Sequence, residues 1–124
     1  MTITISQWLV RITGVLLLIL GLLIWTEHMQ NLVGIHMLLG VLMVLALWLL
    51  AATASTQGVP MGMAIGAAVM GLIVLLLGFT QRSLLPDPGT HWIIQGLHLL
   101  IVMLAVGTGE MLGGRLRRQR LAPA

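Results

Sequence analysis

Four long apolar runs constrain this chain more than any other feature: Trp8–Trp25, Leu32–Ala54, Met61–Phe79 and Trp92–Leu112. Each has about the 17–25 residues that a helix needs to cross a bilayer. Lipid offers the backbone no hydrogen-bond partner, so runs of this kind are expected to be helical. Composition agrees, because only 7% of the 124 residues are charged while 59% are hydrophobic. Soluble domains carry about 25% charged residues. The chain therefore reads as an integral membrane protein.

The breaks between the runs are polar or rich in Gly and Pro: Thr26–Asn31, Ser55–Pro60 with Gly58, and Gln81–Gly89 with Pro86 and Pro88. Helices are expected over about residues 8–26, 31–54, 60–80 and 90–113, followed by a basic tail at 114–124, in a single transmembrane domain. The first run has little charge before it and no small-residue cleavage site after it, so it reads as a retained helix and not a signal peptide. Short connections between alternating spans make an antiparallel four-helix bundle the expected all-α fold. Four of the six basic residues, Arg115, Arg117, Arg118 and Arg120, lie in the last ten positions. By the positive-inside rule this predicts a plasma (inner) membrane protein with both termini cytoplasmic. Four spans explain so short a basic tail better than nucleic-acid binding does, and no nucleic-acid partner is expected.

The chain contains a repeat. Aligning His36 with His98 also aligns Gly34 with Gly96 and Leu38 with Leu100. The preceding helices end alike, Trp25-Thr26-Glu27 against Phe79-Thr80-Gln81. The spacing is 62 in the first match (98 − 36) and 54 in the second (79 − 25), which implies that the third loop is longer than the first by eight residues (62 − 54). Chance is the alternative, since Leu, Val, Ile and Gly dominate the composition. A true duplication predicts two tandem helical hairpins related by an axis along the membrane normal. It would turn His36 and His98 toward each other.

Both histidines fall in the outer half of their helices, at similar depth. An imidazole there needs a partner that lipid cannot provide. One reading is bonding to backbone carbonyls or between the two rings. The other is ligation of one metal: two neutral imidazoles at matched depth on non-adjacent helices are what bis-histidine haem ligation requires. Gly40, one turn after His36, would make room, and glycines 14, 21, 62, 66, 71 and 78 would thin the flanking walls. Close helix packing through small residues, such as Gly62–Gly66, explains any single one of them equally well. The absence of cysteine excludes iron–sulfur clusters and covalent c-type haem attachment.

This constellation resembles the small four-helix membrane b-type cytochromes, loosely the cytochrome b561-like architecture. The resemblance rests on span count, length and the His36/His98 pair. Two-haem members place further histidines deep in the same helices, whereas Val41–Ala54 and Ile101–Leu112 contain none. The resemblance thus implies one haem b per chain, ligated by His36 and His98, and single-electron transfer.

Other residues are read in two ways each. His91 lies two turns before His98 on nearly the same face, where it can meet a cofactor edge or a quinone head, or simply sit at the interface. His28 reads as interfacial, beside the aromatic belt of Trp25 and Trp92. Glu27, His28, Asp87 and His91 together have the residue types of a metal site but no spacing motif. Arg82 is the only basic residue in the outer loops and suits haem propionates or a pair with Asp87. Arg11 and Glu110 lie at matching depth near the inner end and predict an interhelical ion pair, with a proton-carrying role for Glu110 as the alternative. The nine methionines read as packing residues.

Three function classes follow. The first is a membrane cytochrome passing single electrons, with a quinone as the expected redox partner. The second is a scaffolding or (bacterio)chlorophyll- or haem-bearing accessory subunit of a larger respiratory or photosynthetic complex, with other subunits or further copies of the chain as partners. Light-harvesting helices carry a small residue four before the ligand, and Leu32 and Ile94 occupy those positions here. The third, a small exporter, needs a deep acidic residue, whereas Glu27 and Glu110 lie near helix ends.

Overall fold

A computed structural model describes residues 1–121. Its elements are α1 (Thr2–Trp25), a single 3-10 turn (Gln30–Leu32) that leads into α2 (Val33–Thr56), α3 (Met61–Thr80) and α4 (His91–Leu121). Each of the four helices is long and apolar enough to cross a membrane. Large side chains such as Ile12, Leu38, Leu76 and Leu100 remain exposed along them, as a lipid-facing surface requires. Polar side chains bond internally: the hydroxyls of Thr13, Thr53, Thr80 and Thr108 each donate to the carbonyl four residues earlier.

Two helices are longer than the apolar runs imply. α1 starts at Thr2 and not near residue 8, because Ile3, Ser6 and Gln7 are buried against the bundle. α4 continues through the arginines to Leu121, so residues 114–121 are helix and not a separate tail. Leu112 and Leu116 anchor this segment, both fully buried. The last three residues of the expected tail lie outside the described residues.

The helices form a ring in which α1 and α3 each pack against both α2 and α4. α2 and α4 also touch across the diagonal, while α1 and α3 do not. Most of the core lies toward the arginine end, around Met43, Leu47, Leu50 and Leu112. There α4 approaches α1 through Gly109 and Gly113: a Cβ at Gly113 would stand 2.6 Å from the Gln7 side chain, and one at Gly109 3.0 Å from Val10. The Gly62–Gly66 pair takes no part in packing within the chain, since a Cβ at either meets nothing within 4 Å.

The two hairpins repeat in three dimensions. A Cβ at Gly14 would press on Val106, and one at Gly71 on Val44. Gly14 and Gly71 are 57 residues apart, and Val44 and Val106 are 62 apart. The same two spacings relate Gly21 against His36 to Gly78 against His98. A pseudo-twofold axis therefore exchanges α1 with α3 and α2 with α4. The spacing of 57 (71 − 14) replaces the 54 suggested by the helix ends, so that equivalent positions of the second hairpin lie five residues further apart in sequence (62 − 57). The end match of Trp25-Thr26-Glu27 with Phe79-Thr80-Gln81 is out of register with the fold by three residues, because packing follows the glycines.

Candidate functional site: a twofold cavity with facing histidines

The end away from the C-terminal arginines holds a cavity of about 600 Å³. That is within the range of small-molecule and cofactor sites, about 300–1,000 Å³. Its lining obeys the pseudo-twofold: Leu17 with Val74, His36 with His98, and Gly40 with Val102. His36 and His98 come from the diagonal helices α2 and α4. Their ring centres stand 6.5 Å apart with the planes inclined at 53°.

That separation distinguishes the possible uses of the pair. A direct hydrogen bond of about 2.9 Å between the rings would bring their centres to about 5 Å. One metal ion about 2 Å from a nitrogen of each ring would hold the centres about 6 Å apart. The observed distance is too long for the first arrangement. Nδ1 of His36 and Nδ1 of His98 are both buried without a hydrogen-bond partner. An unsatisfied buried polar atom costs about 1–3 kcal/mol, and the chain carries two at equivalent positions in one cavity. The carbonyl or ring-to-ring bonds that would make the histidines ordinary core residues are therefore absent at these atoms.

Glycines line the walls. Gly21 lies against His36 Cε1, where a Cβ would come to 3.3 Å, and Gly78 lies against His98 Cε1, at 3.6 Å. Gly40 also lines the cavity, and a Cβ there would meet nothing within 4 Å. Gly21 and Gly78 thus seat the two imidazoles against the neighbouring helices, while Gly40 leaves space on the histidine-bearing helix itself.

The mouth is polar. Glu27, Gln81, Arg82, His91 and Gln95 border it. Nδ1 of His91 donates to the carbonyl of Leu85 at 3.1 Å. A carbonyl only accepts, so this bond fixes the proton on Nδ1 and leaves Nε2 as the acceptor of the neutral ring. Leu85 has the left-handed backbone angle φ 48°, uncommon for a side-chain-bearing residue. Asp87 accepts from the Gly89 amide at 2.9 Å and forms no ion pair with Arg82. His28 turns to the carbonyl of Thr26 and does not border the cavity. Glu27, His28, Asp87 and His91 do not converge, and among the described residues no group of three or more such side chains forms a metal site.

The expected ion pair is present at the other end. Arg11 grips Glu110 with two hydrogen bonds of 2.6 Å. Gln7 donates to the same carboxylate at 2.8 Å and accepts from Arg117. Sequence reasoning missed Gln7, though it lies four residues, about one turn, before Arg11 on the same helix.

No protein-family model matches this chain, and neither the characterised proteins nor the solved structures contain a significant match to it.

Proposed function

We propose that the chain is a membrane b-type cytochrome that holds one haem b between His36 and His98 and passes single electrons, with a quinone as redox partner. The observation that carries this reading is the twofold-related histidine pair, 6.5 Å apart across the cavity with both Nδ1 atoms unsatisfied. When bound, the haem supplies an iron that accepts and releases one electron. His36 and His98 would hold the haem from both sides, and so held it would supply electron transfer in preference to oxygen chemistry. Gly21 and Gly78 seat the imidazoles, and Gly40 leaves space beside them. Arg82 at the mouth pairs with carboxylate substituents of the ligand. His91 Nε2, left as an acceptor, is available to accept a hydrogen bond from a hydroxyl of the redox partner at the mouth. On this reading the arginine end faces the cytoplasm.

A second reading is a non-catalytic subunit of a larger membrane complex. It draws on the Gly62–Gly66 face of α3, which packs against nothing in this chain.

A visible spectrum of the purified protein separates the two. The cytochrome gives a sharp Soret band, reduced α and β bands, and one haem per chain by pyridine haemochrome. A colourless protein that takes up no added haem is the accessory subunit.

A further inference from the structure

We propose that the arginine end of the bundle is a binding surface for the phosphate headgroups of anionic phospholipids. The inference is independent of the cavity. Arg115, Arg117, Arg118 and Arg120 all lie on the last turns of α4 and are exposed. Buried Leu112 and Leu116 dock these turns on the bundle, so the guanidinium groups are presented from a fixed helix.

The local charge is unbalanced. Glu110 is the only carboxylate side chain on the four helices, and Arg11 already holds it with both oxygens. Arg117 reaches neutral Gln7 and Arg120 reaches neutral Gln57, contacts that orient the side chains without neutralising them. Arg115 and Arg118 bond to nothing among the described residues. The other two acids, Glu27 and Asp87, belong to loops at the opposite end. Among the described residues, five guanidinium groups thus stand at one end with a single side-chain carboxylate.

That end emerges from four helices able to cross a membrane, so the anions nearest to it are lipid phosphates. A guanidinium fork matches phosphate oxygens in pairs. Each arginine near an anionic surface strengthens attraction about fivefold.

The test titrates the full-length protein in detergent with phosphatidylglycerol or phosphatidylcholine and counts bound lipids by native mass spectrometry. Phosphatidylglycerol should be retained in preference. Arg115→Gln with Arg118→Gln should reduce that preference by an order of magnitude or more, and added salt should weaken it. Neither side chain is buried, so the pair should leave the helical circular dichroism unchanged. Arg115→Lys with Arg118→Lys should keep part of the preference, and Arg82→Gln at the other end should keep all of it. Equal retention of both lipids overturns the proposal. So does an unchanged preference in the glutamine pair, its loss in Arg82→Gln, or displacement of phosphatidylglycerol by millimolar inorganic phosphate.

Discussion

The histidine end and the arginine end of this bundle treat the pseudo-twofold axis differently. At the histidine end the axis is kept: Gly21 and His36 on one side correspond to Gly78 and His98 on the other. At the arginine end it is broken. Arg11 and Glu110 bridge α1 and α4, whereas their counterparts, 57 and 62 residues away, are Ala68 and Trp48. There the Trp48 indole donates to the Ala68 carbonyl at 3.0 Å. The same two helix seams are thus held by an ion pair on one side and a neutral hydrogen bond on the other. A seam only has to hold, and different chemistries do that. A ligand shared by two imidazoles, as proposed, would need both rings placed to reach it, and equivalent glycine seats place them alike.

Replacing one histidine at a time tests that equivalence with the largest effect. His36→Ala and His98→Ala should each abolish low-spin haem absorbance, and to the same extent. His28→Ala should leave the spectrum unchanged, since His28 faces Thr26 outside the cavity. If His28→Ala bleaches the protein while His98→Ala does not, the pair is wrongly chosen.

The glycines come next. Gly21→Leu and Gly78→Leu should each lower haem content severalfold, because a Cβ already reaches 3.3 Å and 3.6 Å from the facing imidazoles and a longer side chain must enter the cavity. Gly66→Leu, where nothing lies within 4 Å, should not. Pyridine haemochrome per mole of protein provides the comparison. Normal haem content in both cavity variants would mean that these glycines do not shape the ligand space.

Much of this was legible in the sequence, for definite reasons. Span count follows from apolar length, because lipid leaves the backbone no alternative to helix. Arg11–Glu110 was readable because charges at equal depth in lipid have few possible partners. The register of the repeat was misread. Trp25-Thr26-Glu27 and Phe79-Thr80-Gln81 look alike, but helix ends tolerate drift, while Gly14 and Gly71 sit where helices touch and cannot shift. The glycine pairs at 57-residue spacing were visible all along, yet which helix each one faces depends on packing. The continuation of α4 to Leu121 was hidden for a related reason: arginines ended the apolar run, while Leu112 and Leu116 kept the helix docked.

Arg82 breaks the symmetry of the cavity mouth, since Trp25 is its counterpart at the 57-residue spacing. With a haem bound as proposed, a positive charge there would favour the reduced, less positive state. Arg82→Gln should lower the midpoint potential by on the order of tens of millivolts, for a charge acting through an effective dielectric constant of about 20 to 80. Arg82 is exposed, so the shift should shrink as ionic strength rises. Redox titrations at low and high salt measure it. An unchanged potential at low salt would separate Arg82 from the cofactor.

The smallest effects concern the two seams, and they ask whether the broken symmetry matters for stability. Trp48→Phe removes the indole N–H that reaches the Ala68 carbonyl while keeping an aromatic ring against Gly71. Interhelical hydrogen bonds in membrane proteins average about 0.6 kcal/mol, so the loss should be of that size and close to the limit of detection in a thermal or denaturant titration. Glu110→Gln should cost more. It leaves Arg11 without its bidentate partner, at a position flanked by Trp8, whose ring centre lies 5.2 Å from the guanidinium, and by Gln7, which itself loses a charged acceptor. The cation and its contacts must then rearrange toward the membrane surface. Neither variant should change haem content, because both seams lie at the end away from the cavity. If Glu110→Gln lowers haem binding without lowering stability, the two ends are coupled, and Glu110 has a role at the cofactor beyond holding α1 to α4.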